Sequence, residues 1–438
     1  MNTREIAVKL LRSYEENDSY VNLSLNNPLV SALSEEDRSF VTALLFTTVE
    51  RRITLDYYIS ALAKRPVAEI SPKALALLRI GLCQLLYMEG IPAYAAVSET
   101  VALAKGQGER GFVNGILRAA QRQRDALPLP PREKNLARFF SVAYSVPLTL
   151  SKYVLSLLGE GEAEALLRSF LSHPPLTLAV NTLRISREAF MELLREGGIE
   201  AEKTAYSPYG VKIFTPIPVA KLPGFSEGLF FVQDEASQLS SLALAPKPGA
   251  RVIDVCAAPG GKSMLCGVQM QNEGEIVSLD LHESKLSLIR ENAARLGLSV
   301  LCADAQDATA ARAEYKEAFT HVMCDVPCSG LGVLWKKPDL RYRAMEGRDA
   351  LPVLQAKILS ESATYVAPGG TLVYSTCTLR AEENSAVVRD FLSTHPEFSL
   401  VPFAFGDLSA DAGMLTTYPH VHGMDGFFIA KLCRRAEK

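Results

Sequence analysis

Two cysteines occupy positions from which a thiolate could attack a substrate. Cys328 lies in Asp325-Val-Pro-Cys328-Ser-Gly330, and Cys377 lies in Ser375-Thr-Cys377-Thr378. Each follows an apolar run that reads as a strand, 319–325 and 371–375. The carboxyl ends of such strands are where open α/β sheets bind ligands, and buried structural cysteines seldom fall on those loops. A thiolate placed there is a candidate for nucleophilic, covalent chemistry. Cys83, Cys266, Cys302, Cys324 and Cys433 read instead as small buried hydrophobes. None of the eight cysteines forms C-x-x-C, so neither a zinc ribbon nor a thioredoxin-type pair is indicated. In a reducing compartment no structural disulfide joins Cys328 to Cys377.

A second candidate site begins at the strand 251–256, which runs through Asp254 into Cys256-Ala257-Ala258-Pro259-Gly260-Gly261-Lys262-Ser263 and then a helical pattern. A glycine turn between strand and helix lets a ligand approach the backbone, with helix N–H groups aimed at it. Three readings compete. The dinucleotide fingerprint G-x-G-x-x-G is absent. The phosphate-binding pattern G-x-x-x-x-G-K-[ST] ends correctly at Gly261-Lys262-Ser263, but Cys256 stands at its first glycine. An S-adenosylmethionine site calls for an acid at the end of the second strand, to hold ribose hydroxyls, and a polar residue after the third. Asp280 ends Glu275-Ile-Val-Ser-Leu-Asp280, and Asp304 ends Leu301-Cys-Ala-Asp304. A lone strand-end aspartate is often only a turn or cap residue. Three such sites in register on consecutive strands favour the methyl-donor reading.

The elements that position these residues are legible from periodicity. The chain has 438 residues, 48% hydrophobic and 22% charged, enough for two to four globular domains. No stretch approaches 18 uncharged apolar residues, and no apolar segment backs the N-terminus, so no transmembrane helix or signal peptide and a cytoplasmic location are expected. Net charge is −3, which gives no general signal for nucleic acid but leaves room for a local basic groove. Residues 1–125 show helical spacing throughout, as in Leu75-Leu78-Leu82-Leu85-Leu86, with Ser71-Pro72 as a helix start. Residues 126–134, Ala-Leu-Pro-Leu-Pro-Pro-Arg-Glu-Lys, read as a stiff linker. Residues 135–232 read as a small α/β module that binds RNA or connects its neighbours, with helical patterns at 147–158 and 160–171 ahead of a strand at 176–181. Residues 233–438 alternate strands (251–256, 275–280, 299–303, 319–325, 371–375, 427–432) with helices (notably 283–296 and 350–366), which predicts a doubly wound, largely parallel sheet of Rossmann-like type.

Taken together, Asp254-Val-Cys-Ala-Ala-Pro-Gly-Gly-Lys-Ser263, Asp325-Val-Pro-Cys-Ser-Gly330 and Ser375-Thr-Cys-Thr378 resemble the signature motifs of the Sun family of RNA (cytosine-5) methyltransferases. Gln233-Asp-Glu-Ala-Ser-Gln238 is similar to that family's entry motif, and Gly423-Met-Asp-Gly-Phe-Phe-Ile-Ala430 to its last strand, so the likeness spans about 233–432. Residues 1–125, with Glu109-Arg-Gly-Phe-Val-Asn-Gly-Ile-Leu-Arg118, resemble a NusB-type helical RNA-binding domain. That fusion is similar to the family's 16S rRNA branch. It implies methylation of one small-subunit rRNA cytosine, position 967 in the usual rRNA numbering, with S-adenosylmethionine as cofactor and free or early-assembly 16S rRNA as partner. From the sequence itself no membrane partner is expected, and His420 and His422 form H-x-H without further ligands nearby, so no metal is expected either. The alternatives are the same chemistry on tRNA or another RNA, and a non-catalytic RNA-binding assembly factor.

The resemblance assigns the site residues. Cys377 is the nucleophile that adds to carbon 6 of the ring, making carbon 5 reactive toward a methyl group. Cys328 serves product release, as base or in its support. From spacing alone either cysteine fits either role. Asp325 contacts the amino and ring-nitrogen edge of the cytosine, and Lys262 orients groups around substrate or cofactor and lowers a nearby thiol pKa. Cys256, Ala257, Ala258, Pro259, Gly260, Gly261, Lys262, Asp280, Asp304 and Asp325 form the cofactor site. The resemblance also favours RNA contact by some of Arg110, Arg118, Arg122 and Arg124, which otherwise read as a solvated helix face. The basic run Lys336, Lys337, Arg341, Arg343 and Arg348 is a candidate to hold phosphates flanking an extruded base, or is equally a solvated run. Trp335 stands where relatives often carry a basic residue, and Val326 replaces a commoner alanine.

Overall fold

A computed structural model describes residues 2–17, 20–310, 312–343, 345 and 350–436, and the chain divides into two compact units. The first comprises residues 1–172 and 334–345. Its longer helices include Thr3–Glu16, Glu35–Glu50, Arg52–Ala63, Pro72–Tyr87, Ala93–Ala102 and Gly106–Arg122, followed by Leu136–Ala143 and Leu148–Ser169. The helix Pro72–Tyr87 is central. Ser71 caps it by accepting from the Ala74 N–H, Pro72 opens it, and nearly every residue from Ala74 to Leu85 is buried. An all-round apolar helix must sit in a core, and Leu77, Leu78, Leu82 and Leu85 pack there with Leu10, Leu11, Leu44 and Leu45. Arg79 on the same helix stays charged inside that core because Asp56 binds it through two bonds of 2.7 Å and Glu15 closes the third side. The last helix is two helices across a break at Gly159, whose φ of +75° only glycine adopts readily. That break falls between the two helical patterns read from the sequence.

The proline-rich segment 126–134 lies inside this unit rather than at its edge. Arg132 holds it to the following helices, pairing with Glu164 at 2.7 Å and Glu160 at 2.8 Å and lying over the rings of Phe139 and Phe140.

The basic run is corrected in part by the structure. Arg341 is fully buried in the first unit, where its guanidinium donates to the carbonyls of Glu50 (3.0 Å), Phe170 (3.1 Å), Ser145 (3.3 Å) and Leu334 (3.3 Å). Tyr342 donates to the Val49 carbonyl at 2.5 Å, and Arg52 lies 3.8 Å over its ring. Arg341 therefore serves packing, not phosphate. Arg343 lies over Tyr20 and Lys336 over Trp335, Lys337 is exposed, and Arg348 falls outside the described residues.

The second unit comprises residues 173–333 and 346–438. It opens with a four-stranded antiparallel sheet in the order β2-β3-β1-β4, formed by β1 (Leu176–Val180), β2 (Ala201–Lys203), β3 (Gly210–Ile213) and β4 (Phe230–Val232). The large sheet contains β5 (Arg251–Asp254), β6 (Glu275–Asp280), β7 (Leu301–Ala305), β8 (Phe319–Asp325), β9 (Val366–Thr376) and β10 (Phe398–Leu400). A separate pair, β11 (Phe403–Phe405) and β12 (Leu408–Ala410), precedes two more strands of the large sheet, β13 (Met414–Thr417) and β14 (Phe427–Arg434). The order is β10-β14-β9-β8-β5-β6-β7, with β13 also paired to β14. The strands β9-β8-β5-β6-β7 are mutually parallel, as expected, but β14, β10 and β13 add an antiparallel end that the sequence reading did not include.

Alternate residues of each central strand enter different cores. Ile253, Val322, Cys324, Leu372 and Tyr374 face one cluster, while Val252, Met323 and Val373 face another with the helix Glu235–Leu244. Both faces of the sheet are covered, which is why these strands read as near-continuous apolar runs. Strand order reverses between β5 and β8, so the loops after these two strands diverge and leave a crevice at the sheet's switch point.

Replacing Arg341 by Met strands four carbonyls in the core of the first unit. The expected loss is about 3 kcal/mol, read as a lowered urea midpoint for the helical signal. A loss below about 1 kcal/mol contradicts the buried role.

Candidate active site

The loop after β5 carries Cys256 to Gly260 and leads into the helix Gly261–Gln269. Gly260 has φ +102°, and a Cβ there would lie 2.8 Å from Met264 Cε. The backbone is thus held in a shape that leaves the helix N-terminus open. A cavity of about 160 Å³ opens on this turn, lined among others by Gln233, Asp254, Cys256, Gly261, Lys262 and Asp325. Ala257, Ala258 and Pro259 complete the wall. Asp280, at the end of β6, joins through the Ala258 N–H that donates to its Oδ2 at 3.3 Å; its Oδ1 accepts from His282 N–H at 3.0 Å. Asp304 is placed differently. It lies more than half exposed on the edge strand β7, paired with Arg312 at 2.6 Å, and does not line the cavity. The Arg312 pairing holds its carboxyl below the usual range.

Asp254 was legible only as the start of a motif, and the structure makes it a site residue. Its side chain is buried, Oδ2 accepts from Ser263 Oγ at 2.7 Å, and Ser263 in turn accepts from Ser278 Oγ at 2.9 Å. Its Oδ1 is buried with no hydrogen-bond partner among the described residues. Burial pushes this carboxyl up to about 6, against the pull of the Ser263 bond and Lys262. Gln233, Asp234 and Ser237 also line the cavity and come from the sequence run 233–238. Asp234 caps its helix through the Ala236 N–H and receives the Asp425 N–H at 3.1 Å, tying this run to the loop before β14.

Asp325 ends β8 opposite Ser375 on β9. Its two oxygens are fixed separately, Oδ2 by Lys262 Nζ at 2.7 Å and Oδ1 by Ser375 Oγ at 2.6 Å. Burial alone would lower the Lys262 ammonium, but the Asp325 carboxylate overcomes it and raises the pKa above the ordinary value. Lys262 also lies 5.4 Å from the centre of the Phe427 ring. The Asp325 register brings the two cysteines together. Cys328 Sγ and Cys377 Sγ are 3.2 Å apart, within thiol hydrogen-bond distance and well beyond the S–S bond of a disulfide. The bond to Cys377 and burial raise the Cys328 thiol well above its usual pKa.

The two cysteine loops are stitched to each other. Gly332 N–H donates to the Cys377 carbonyl at 2.9 Å, Gly426 N–H to the Gly332 carbonyl at 2.9 Å, and the Ser329 and Thr378 hydroxyls meet at 2.7 Å. A Cβ on Gly332 would sit 1.7 Å from the Gly426 oxygen, so no other residue fits there. Arg110, Arg118, Arg122 and Arg124 are exposed on or just after the helix Gly106–Arg122 of the first unit.

A parallel sheet with a glycine turn after its first strand, an acid ending its second and an antiparallel strand at its end is a Rossmann-like methyltransferase fold. Comparison with known proteins places it further. Residues 241–433 match the model of the 16S rRNA methyltransferase RsmB/F family, residues 1–122 that of the NusB family, and residues 147–220 that of the RsmF/B-like ferredoxin-like domain. The chain is 37% identical, over 99% of its length and 98% of the relative's, to a probable ribosomal RNA small subunit methyltransferase B of Bacillus subtilis. It is 35% identical to the ribosomal RNA small subunit methyltransferase B of Pseudomonas putida, over 100% of its length and 99% of the relative's. Among solved structures, PH0851 superposes with a TM-score of 0.78 at 27% identity over 99% of both chains. NSun6 from Pyrococcus horikoshii, solved with SFG, a S-adenosylmethionine analogue, shares the fold at a TM-score of 0.57 and 23% identity, over 66% of this chain and 97% of that one. The chain belongs to the ribosomal RNA small subunit methyltransferase B family.

Asp254 gives the site a pH signature. The folded carboxyl holds its proton up to about pH 6, whereas an unfolded one releases it near 4. The folded state therefore binds the extra proton between these values and loses stability as pH rises through them, by on the order of 3 kcal/mol. Asp254→Asn removes that fall. Thermal melts from pH 4 to 7 should show a smaller decline for the variant than for wild type; parallel curves contradict the assignment.

Proposed function

We propose that this protein methylates carbon 5 of one cytosine in 16S rRNA through a covalent cysteine adduct, with S-adenosylmethionine as methyl donor. The observation that carries the reading is the pair of thiols 3.2 Å apart at the ends of β8 and β9, beside the Lys262–Asp325 ion pair. The family relationship supplies the RNA, and the position implied by the sequence resemblance is the expected target.

The site residues fit a methyl donor. The Gly260-Gly261 turn leaves room for close approach, the unpartnered Asp254 Oδ1 can accept from an ammonium, and Asp280 ends the strand where ribose hydroxyls are held. When bound, S-adenosylmethionine supplies an electrophilic methyl group. Cys256, Ala257, Ala258, Pro259, Gly260, Gly261, Lys262, Asp280 and Asp325 hold it or border it, whereas Asp304, paired with Arg312 away from the cavity, does not.

The protein's own groups then account for the reaction at the base. Carbon 5 of cytosine is a poor nucleophile until a thiolate adds to carbon 6. The contact with Cys377 and burial make the Cys328 thiol resist ionisation, and the family resemblance gives Cys377 as the sulfur that attacks. Electrons displaced by that attack move toward the ring nitrogen, where Asp325 takes the amino and ring-nitrogen edge and the Lys262 ammonium stabilises the added charge. After transfer, carbon 5 must lose its proton and the sulfur–carbon 6 bond must break. Cys328, hydrogen-bonded to the departing sulfur, takes part in this step as base or in its support. A base buried in folded RNA must be extruded to reach these loops, and the exposed arginines Arg110, Arg118, Arg122 and Arg124 are candidates to hold the surrounding RNA.

The test is transfer of labelled methyl from S-adenosylmethionine to unmodified 16S rRNA, with the product mapped. Cys377→Ala should fall to background, at least 1000-fold down. Cys328→Ala should leave an RNA–protein adduct that survives denaturing electrophoresis. Label on tRNA alone keeps the chemistry and discards the rRNA target. Donor binding without transfer to any RNA leaves a binding factor.

A further inference from the structure

Cys328 is held from both sides by two buried residues that lie outside the motifs read from the sequence as chemical. Gln355, on the helix Ala350–Ala363, is fully buried and spends both amide hydrogens nearby. One goes to the Pro327 carbonyl at 2.8 Å and the other to Glu383 Oε2 at 3.0 Å. The same Glu383 oxygen accepts the Ser329 N–H at 2.9 Å. Pro327 and Ser329 are the two neighbours of Cys328, so one amide and one carboxylate grip the backbone immediately before and immediately after the thiol. Glu383 is itself fully buried and braced. Arg380 Nε lies 3.6 Å from its other oxygen, and Tyr374, on β9, donates to its backbone carbonyl at 2.6 Å.

A fully buried carboxylate is costly unless charge and hydrogen bonds compensate it. The sheet core would be more stable with an apolar pair of the same volume in place of Gln355 and Glu383, because Gln355 Oε1 and Glu383 Oε1 are buried without a hydrogen-bond partner among the described residues. Polar groups kept at such a cost, and aimed at a loop rather than at each other alone, point to control of that loop. Their acceptors and donors are the peptide groups flanking Cys328, and a freely rotating loop could not keep two thiols at 3.2 Å.

We propose that Gln355 and Glu383 are positioning residues that clamp the Pro-Cys loop, fixing Cys328 against Cys377 and so setting the rate of adduct release rather than of adduct formation. This rests on the two-cysteine reading above. The clamp touches neither the methyl-donor cavity nor Cys377 directly, so loosening it leaves attack by Cys377 possible and misplaces the group that acts afterwards. Misplacement by an ångström is enough to cost about a hundredfold in a reaction step. The negative charge of Glu383 adds to the burial that keeps the Cys328 thiol protonated.

Gln355→Leu keeps the volume and removes the grip on the Pro327 carbonyl together with the hydrogen bond that steadies Glu383. Glu383→Gln keeps an oxygen for Ser329 N–H and removes the charge. Gln355→Leu should lower kcat on 16S rRNA about 10- to 100-fold, with KM for RNA and donor affinity within threefold of wild type, and should accumulate the denaturation-resistant RNA adduct as Cys328→Ala does. Glu383→Gln should be intermediate. Donor affinity and melting temperature report whether each variant is folded. A second readout needs no methylation. The rate at which diamide couples Cys328 to Cys377 as a disulfide, the two thiols losing two electrons and two protons to the reagent, should fall about tenfold in Gln355→Leu. If Cys328→Ala gives the adduct and Gln355→Leu turns over like wild type without it, the clamp is overturned and the two-cysteine reading stands. If Cys328→Ala gives no adduct, that reading fails, and the clamp is then judged by the coupling rate alone, an unchanged rate overturning it.

Discussion

The candidate site of this protein hangs on one register. Asp325 and Ser375 face each other across the parallel strands β8 and β9 and are joined by a hydrogen bond of 2.6 Å. From that rung each strand continues into its own loop, and the two loops deliver Cys328 and Cys377 to the same point. A slip of one residue in either strand would turn Asp325 toward a core and carry its cysteine away with it, since side chains alternate faces. The neighbouring residues guard against that slip. Cys324 and Tyr374 are locked in one apolar cluster and Met323 and Val373 in the other, so burial on both faces of the sheet enforces the register that brings the two cysteine loops together.

The same register explains where the cofactor side of the site must be. β5 lies beside β8, and its loop turns away at the switch point. Lys262, from the helix after that loop, reaches back 2.7 Å to Asp325 and closes the gap between the glycine-turn cavity and the cysteine loops. Lys262 and Asp325 thus belong to both halves of the site. An exposed ion pair of this kind would contribute little, but here the lysine is largely buried and its carboxylate is gripped by a second residue, so geometry and charge are both fixed before any substrate arrives.

Much of this was legible in the sequence, and the exceptions have physical causes. Strand 275–280 and helix 283–296 were read with their observed limits, because two-sided burial and a glycine stop, Gly297, leave strong local signals. The direction of β14 was not, since an apolar run such as Phe427–Leu432 looks alike in parallel and antiparallel pairing. Strands of three or four residues, β10 to β13, carry too few positions to show a period. Asp304 was placed at the cofactor by analogy with its neighbours, yet β7 is the edge of the sheet and Arg312 draws its carboxylate outward. Arg341 looked like part of a solvated basic run because charge is visible in sequence and burial is not. The clamp residues Gln355 and Glu383 were unreadable for the same reason: each is an ordinary polar residue on an element distant in sequence from Cys328, and only the fold brings them to its peptide groups.

Burial also sorts the protons of the site. Asp254, Lys262 and Cys328 lie within one small region of low polarity, and burial alone would neutralise all three. It weakens the acidity of Asp254, to about 6, and of Cys328, but fails with Lys262, because the Asp325 carboxylate stands 2.7 Å away and restores the charge. The outcome is a site with one fixed cation and one thiol that resists ionisation, 3.2 Å from a second sulfur. In the reading proposed above, Cys377 attacks and Cys328, whose thiol resists ionisation, serves release. The contact with Cys377 and burial hold the Cys328 proton, and the Glu383 carboxylate at the Ser329 N–H adds to them.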